Sequence, residues 1–579
     1  MQRTLADLND REFDILVIGG GAAGAAVARE ASLRGFHTVL IERDDFGSGT
    51  SAHCFKVVHG GIRYLQHGDI ARLRASCRER AIMLRIAPHL VAPLPFVVPT
   101  FGWGRKSKWF LGAGMGVYDA LTRDLNSLIP DSARRVRATR FLGRSDIRQL
   151  FPGADAPNLT GAAVFEDGQM YNPPRLVLAL VAAAAQLGAR VANYVEAERL
   201  LYQGGRAIGA AVRDHLTGDS FEIRARLVVN AAGPWAESLV RKPAGVESAA
   251  SGTYSRDACF VVARRAATRM ALAVPGLTRD TDALLARDAR HLFLVPWREH
   301  TLVGVWHRVV ERDPDNARLS RDELRTFIDE INACYPSLDL SEAEVSMAGF
   351  GLVPFGEATR QQPGALSFGK QSRLIDHRTE GLDGLITLIS VRYTVARRDA
   401  AAVLDVADQQ LGARGSGAAS ARQPVPGGDI EDFVGFMHDL SRRWPRWLPH
   451  AAREGLAQNY GRHIDRIIAL GESDSNLQRC LPRSTVSHAE VAYAMREEMA
   501  VRMADVVFRR TDLGSAANPG SLALDELQQL MRALAGWTVE RARAERAEVD
   551  RHLERYLGED LGLSHSAKSA RGDVPVGLA

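Results

Sequence analysis

Cysteine is scarce in this sequence, and its distribution excludes two kinds of site. Five cysteines are scattered over 579 residues, odd in number and without a CxxC spacing: Cys54, Cys77, Cys259, Cys334 and Cys480. Cysteines placed in this way do not build a disulfide framework or a zinc site, and they indicate a reducing compartment.

Two further features are missing: a strong excess of charge and a long apolar run. The net charge is only +4, too small to argue for nucleic acid but compatible with an anionic substrate or membrane surface. The start of the chain, MQRTLADLNDREFD, is too polar for a signal peptide, and no run of 18 uncharged apolar residues occurs. We therefore expect a cytoplasmic protein that meets a membrane, if at all, as a peripheral protein on the cytoplasmic face of the inner membrane.

The first motif that is present lies in FDILVIGGGAAGAAVAREASLRGFHTVLIE, residues 13–42. Its order of apolar run, glycine turn, small-residue helix and second apolar run predicts a βαβ unit. Gly19, Gly21 and Gly24 have the G-x-G-x-x-G spacing that allows a tight turn, close approach of a pyrophosphate and close helix packing. Glu42 lies 18 residues after Gly24, where an acid accepts hydrogen bonds from ribose hydroxyls. The motif predicts a site for FAD or NAD rather than NADP.

A second motif favours FAD over NAD. ARLVVNAAGPWAE, residues 225–237, is another strand-like run that enters a glycine turn, as in flavoproteins whose chain returns to the dinucleotide. We assign Gly233 in this turn, and Val195 before it, to the cofactor site. An ordinary strand and turn is the alternative for this motif.

Four segments give the chain a resemblance to a known family over almost its whole length. They are CFKVVHGGIRYL (54–65), NAAGPWAE (230–237), SVRYTVAR (390–397) and EVAYAMREEMAVRMADVVFRRTDLG (490–514). The chain resembles the FAD-dependent glycerol-3-phosphate dehydrogenases of the D-amino-acid-oxidase-like superfamily. The resemblance implies oxidation of sn-glycerol 3-phosphate to dihydroxyacetone phosphate, with hydride transfer to flavin N5 and electrons passed to a quinone or another acceptor. It also implies a peripheral membrane contact and a homodimer.

The resemblance places part of the first segment along the flavin ring. Lys56 and His59 would lie near the polar edge of the ring, and Gly60 and Gly61 would let the backbone pass close to it. The segment's last site residues, Arg63 and Tyr64, would point toward the substrate. His59 could instead be a structural histidine.

The third segment would face the other edge of the flavin. Backbone amides near Tyr393 and Thr394, at the start of a helix, would stabilise negative charge at N1 and O2. Arg392 replaces the family's lysine, and Arg373 is the candidate for a second phosphate-binding arginine. A surface position is the alternative for both arginines.

The substrate site departs from the family pattern. Cys259, in DACFVVAR (257–264), stands where the family has the histidine of Gly-Ser-His, and Val353 stands where it has an arginine. The family's Gly-Thr-Thr-Asp becomes GVWH, which ends at His307. His307 and His59 are the imidazoles that could act as the base, and the choice stays open. The alternatives are a different small hydroxy or amine substrate, or a non-catalytic flavoprotein.

The length of 579 residues predicts two to four domains. The composition, 46% hydrophobic and 25% charged, is typical of a globular protein. The expected fold is α/β, with a Rossmann-type FAD domain, an inserted antiparallel substrate domain and an all-α C-terminal domain. The FAD-dependent oxidoreductase region would span 12–412. Its parts and the remaining segments are as follows: FAD domain at 12–95, 150–250 and 350–412; substrate domain at 250–350, with a hairpin in HLFLVPWREHTLVGVWHRVV; linker at 413–427; helical domain at 428–560; disordered tail at 561–579. WGRKSKWFLGAGMGVYDALTRDL, residues 103–125, is either a membrane-facing patch or a core helix.

Overall fold

The structure is a computed structural model, and it describes most of the chain. The described residues are 1–3, 5–66, 68–102, 107–154, 158–240, 253–279, 289–310, 314, 317–355, 372–413, 415 and 419–557. The tail expected at 561–579 lies outside them, as does part of the expected linker.

The described residues form the following strands and helices. The strands are β1 (Glu12–Ile18), β2 (Thr38–Ile41), β3 (Val57–Val58), β4 (Val91–Phe101), β5 (Arg140–Gly143), β6 (Leu159–Met170), β7 (Arg190–Ala192), β8 (Val195–Gln203), β9 (Arg206–Asp214), β10 (Ser220–Asn230), β11 (Thr253–Val262), β12 (Ala271–Arg279), β13 (Ala289–Trp297), β14 (His300–Val310), β15 (Val345–Phe355), β16 (Arg373–Asp376) and β17 (Leu385–Ile389). The helices are α1 (Ala22–Leu33), α2 (Arg63–Gln66), α3 (Ile70–Ile86), α4 (Lys108–Thr122), α5 (Arg144–Leu150), α6 (Pro173–Gln186), α7 (Ala236–Leu239), α8 (Arg321–Cys334), α9 (Ala396–Leu411), α10 (Phe433–Arg442), α11 (Ala452–Tyr460), α12 (Ile464–Ser473), α13 (His488–Glu497), α14 (Met503–Asp505), α15 (Ser521–Ala535) and α16 (Val539–Leu557).

The first sheet has a Rossmann-type parallel core in the order β17-β10-β1-β2-β7. β1 is buried over six of its seven residues because strands lie on both sides and helices cover the faces. β1, β2 and β10 are parallel, so their carboxyl ends meet at one edge of the sheet, where ligands bind in such folds. The predicted βαβ unit and the returning strand are confirmed.

The second sheet has nine strands and is mainly antiparallel. β13 and β14 form the predicted hairpin, which turns at Arg298 and Glu299. The sheet is not confined to 250–350, because β3, β4, β5 and β6 belong to it as well. The expected domain bounds are corrected here: β4 pairs with β6 along its whole length, and local sequence periodicity carries no information about a partner so distant.

The C-terminal part of the described chain is helical, as expected. Helices α10–α16 bury two apolar clusters of their own, one around Tyr460 and one around Val507. A π-helical turn, Val506–Arg510, faces the first sheet and supplies buried arginines to it. In the part of the chain that the structure describes, no helix has the length and apolar character needed to cross a membrane.

Candidate active site

A cavity of about 950 Å³ is lined by both sheets. One end lies at the carboxyl ends of β1, β2 and β10, where the glycine turn and Glu42 are found. The other end is covered by β11, β13, β14 and β15 of the second sheet. This one cavity therefore joins the glycine turn of the first sheet, a candidate dinucleotide site, to a face of the second sheet, a candidate substrate site.

Two glycines shape the cradle by leaving no room for a side chain. A Cβ on Gly19, whose φ is +104°, would lie 2.7 Å from the carbonyl oxygen of Ala231. A Cβ on Gly24 would lie 1.8 Å from the carbonyl oxygen of Gly19, so α1 packs directly on the turn. Gly19 and Gly21 line the cavity, whereas Gly24 acts from behind it. The backbone at the start of α1 is thus open to a pyrophosphate.

Glu42 lies at the end of β2 and lines the same end of the cavity. One carboxylate oxygen accepts a hydrogen bond from the Gly20 N–H at 2.6 Å, and the other accepts one from the Asp44 N–H at 3.0 Å. Burial, together with the charge of Asp44, raises the pKa of Glu42 to about 7. The Glu42 carboxylate can accept further hydrogen bonds from ribose hydroxyls, and this role stays a prediction from the sequence.

Four other predicted cofactor positions also line the cavity. Val195 begins β8, and Gly233 lies in a short 3₁₀ turn after β10. Thr394 is buried in the 3₁₀ turn Tyr393–Val395 that precedes α9. Tyr393 lines the cavity as well and donates a hydrogen bond from its hydroxyl to the Ser51 carbonyl at 2.7 Å. This bond ties the start of α9 to the loop that follows Glu42.

Only part of the segment predicted to lie along the flavin, residues 54–65, lines the cavity. His59 and Gly61 line it, whereas Gly60 is turned toward Arg80 and Asp167. The Gly60 N–H donates to Asp167 at 2.7 Å, and His59 Nδ1 lies 3.4 Å from the other oxygen of Asp167. Burial acts to raise the pKa of Asp167, but His59 and Arg80 outweigh it and hold that pKa below its usual range.

Lys56 does not line this cavity. Its amino group lies 4.6 Å from the centre of the Trp297 ring and 3.5 Å from the Cys54 carbonyl oxygen. It faces a second, much smaller cavity that it shares with His53 and Cys259. The expectation that Lys56 reaches the large cavity is therefore corrected: the backbone at Lys56 has a φ of +59°, and its side chain is buried against Trp297.

Two arginines lie close to the Tyr64 ring. The guanidinium carbons of Arg72 and Arg392 each lie 5.2 Å from the centre of its ring, and all three residues line the cavity. The side chain of Arg63 lies outside the described residues. Arg373 is in β16, paired with Ile389, and is not among the residues that line the cavity. The structure thus brings Arg392, but not Arg373, to the wall of the cavity, and the substrate-binding role of both arginines stays a prediction.

The departures from the family pattern meet on one face of the second sheet. Cys259, Val353 and His307 all line the cavity. Burial raises the pKa of the Cys259 thiol to about 11, so this thiol stays protonated near neutral pH and cannot replace a histidine as a base. His307 Nδ1 lies 2.6 Å from a carboxylate oxygen of Asp257.

Sequence reasoning missed three residues that line the cavity: Arg72, Asp257 and His291. Arg72 lies in the first turn of α3, capped by Asp69, whose side chain accepts the Arg72 N–H at 3.0 Å. The start of a helix directly after the flavin segment could have indicated Arg72 from the sequence. Asp257 and His291 had no such signal, because their strands meet only in the folded sheet.

Comparison with known proteins agrees with this geometry. The sequence matches the FAD dependent oxidoreductase family over residues 14–375 and the C-terminal domain of alpha-glycerophosphate oxidase over residues 418–542. The chain therefore belongs to the FAD-dependent oxidoreductase family, and its cofactor is FAD.

Relatives over the full length carry more specific names. The chain is 29% identical over 567 residues to the glycerol-3-phosphate dehydrogenase of Synechocystis sp., covering 96% of this chain and 97% of the relative. It is 26% identical over 524 residues to the aerobic glycerol-3-phosphate dehydrogenase of Staphylococcus aureus, covering 87% of each. The fold matches the glycerol-3-phosphate dehydrogenase from Bacillus halodurans, solved with FAD, with a TM-score of 0.73, 23% identity and coverage of 95% and 96%.

Proposed function

We propose that this enzyme oxidises the secondary hydroxyl of sn-glycerol 3-phosphate to the ketone of dihydroxyacetone phosphate. The names of its full-length relatives support this substrate. The observation that carries it is the pair of guanidinium groups, of Arg72 and Arg392, that lie close to the Tyr64 ring in the wall of the cavity. A planar guanidinium binds phosphate oxygens in a bidentate manner, so Arg72 and Arg392 can hold the phosphate of the substrate.

The residues of the chain divide the work of such an oxidation. FAD, when bound, supplies the acceptor for the hydrogen and electron pair that leave C2. Arg72, Arg392 and Tyr64 would fix the phosphate, which orients C2. Apolar side chains such as Phe96, Phe165 and Phe293 line the same cavity and exclude water from it. A base must also take the hydroxyl proton.

The proposal also includes an acceptor that reoxidises the reduced enzyme and a contact with a membrane. We expect a quinone or another acceptor to reoxidise the enzyme. Helix α4 supports a surface contact with a membrane, since Trp109 and Phe110 are 76% and 48% exposed, with Lys108 beside them. Such a mixture of aromatic and basic side chains is typical of interfacial helices.

Anaerobic reduction of the bound FAD tests the proposed substrate. Addition of sn-glycerol 3-phosphate should bleach the oxidised flavin band rapidly. Arg72→Met and Arg392→Met should each lower kcat/KM by about 10- to 150-fold, because a charged hydrogen bond is worth about 1.5–3 kcal/mol. Arg378→Met, an exposed arginine outside the cavity that pairs with Asp376, is the matched control and should change little.

One departure from the family pattern favours a different substrate. Val353, at the position of a family arginine, makes that wall of the cavity apolar. If glycerol 3-phosphate fails to bleach a flavin that dithionite still reduces, the proposed substrate is wrong. A different small hydroxy or amine compound would then be the one to seek.

A further inference from the structure

Asp257 and His307 form a contact with each other across two neighbouring strands. β11 and β14 are antiparallel, and their register places Asp257 directly opposite His307. His307 Nδ1 lies 2.6 Å from a carboxylate oxygen of Asp257. The same oxygen accepts the hydroxyl of Ser255 at 2.9 Å. Both Asp257 and His307 line the large cavity.

Other candidate bases in the cavity are less suited by their surroundings. Cys259 keeps its proton near neutral pH, as described above. Asp167 beside His59 is already engaged by the Arg80 guanidinium at 2.5 Å and by the Gly60 N–H at 2.7 Å. The His59–Asp167 distance of 3.4 Å is also longer than the 2.6 Å between His307 and Asp257. A shorter bond to a carboxylate holds an imidazole more firmly in one tautomer.

We propose that His307 is the catalytic base of the oxidation and that Asp257 is its positioning residue, an inference that rests on the proposed function. The His307 Nδ1–H donates to the Asp257 carboxylate, which leaves Nε2 as the acceptor. The hydroxyl proton of the substrate moves to Nε2, the C2 hydrogen leaves with its electron pair to FAD, and the remaining O–H electron pair forms the C=O bond. Asp257 stabilises the imidazolium that results.

Anaerobic flavin reduction by sn-glycerol 3-phosphate tests this assignment. His307→Ala should lower the rate of bleaching by about 10²–10⁴-fold, with KM nearly unchanged. Added imidazole should restore part of that rate, which a merely structural histidine would not allow. Asp257→Asn should lose rate without rescue by imidazole, and Asp257→Glu should retain more activity than Asp257→Asn.

Two controls keep the outcomes separate. His438→Ala removes an exposed imidazole that is not among the residues lining the cavity and should keep the full rate. The FAD content of each variant, read from its absorbance, reports folding, and His307→Gln replaces His307→Ala if the alanine variant loses FAD. A wild-type protein that the substrate does not bleach would overturn the proposed function together with this inference. Rapid bleaching of the wild type, with His307→Ala and His307→Gln equally fast, would overturn the His307 assignment alone.

Discussion

Glu42 is a buried carboxylate whose ionisation the cofactor should control. Its pKa is raised to about 7 by burial and by Asp44. Ribose hydroxyls donate to the ionised form, so FAD binding should favour loss of the proton and lower this pKa. Proton release on binding means that affinity rises with pH and levels off above about pH 7.

We therefore expect the Kd of the apoprotein for FAD to fall about tenfold between pH 6 and pH 8. The reason is that only about a tenth of the Glu42 carboxyl groups are ionised one pH unit below their pKa, whereas most are ionised one unit above it. Glu42→Gln should bind FAD more weakly at pH 8 and show no such dependence. Fluorescence titration of FAD measures both quantities. Glu198→Gln, on the same cavity wall, should behave like the wild type. A flat pH profile in the wild type would show that Glu42 does not titrate in this range.

The cradle residues could be predicted because their signal is local. Gly19, Gly24 and Glu42 lie within one βαβ unit, and the physical demand on each follows from its place in that unit. The His307–Asp257 contact could not be predicted in this way, because its residues are 50 positions apart and meet only through the register of two strands. Lys56 was misplaced for a related reason, since its side chain follows a left-handed backbone conformation that the motif does not reveal.

At the scale of elements, α4 presents one exposed apolar face. Trp109, Phe110 and Val117 are all exposed, whereas Met115 and Tyr118 are buried against the rest of the protein. One face of the helix thus packs on the core, and the membrane contact of the exposed face stays a prediction. Residues 103–106 of the segment lie outside the described residues.

Replacing Trp109 and Phe110 together by serine should weaken binding to anionic lipid vesicles at least tenfold, because burial of each large apolar side chain contributes about 1.5–3 kcal/mol. Co-sedimentation with vesicles measures this, and flavin reduction in solution should not change. A Val434→Ser/Leu522→Ser double variant removes exposed apolar side chains elsewhere and should bind normally. If the wild type does not sediment with vesicles, the membrane contact is wrong.

At the scale of the whole molecule, buried charges join the helical domain to the cofactor domain. Asp45, three residues after Glu42, accepts two hydrogen bonds from Arg510 at 2.6 and 2.8 Å and one from Arg509 at 2.5 Å. Burial acts to raise the pKa of Asp45, but the two arginines outweigh it and hold that pKa below its usual range. The loop that follows Glu42 is thus fixed by residues from the far end of the chain.

Arg510→Met should lower the free energy of unfolding by about 3–5 kcal/mol, the usual cost of breaking a buried ion pair. The variant should also release FAD faster, because Asp45 and its loop lose their anchor. Denaturant unfolding and flavin release after dilution measure the two effects. Arg443→Met, which removes an exposed pair with Asp465, should cost only about 0–1 kcal/mol. Equal behaviour of the two variants would contradict the anchoring role.

The distance along the chain between Asp45 and Arg510, 465 positions, has a consequence for how the enzyme is made. The nucleotide cradle is synthesised early, but the carboxylate beside it stays without its arginines until the ribosome has made nearly the whole protein. We expect chains cut short before Arg510 to release FAD readily. Retention of FAD would then distinguish finished protein from incomplete protein.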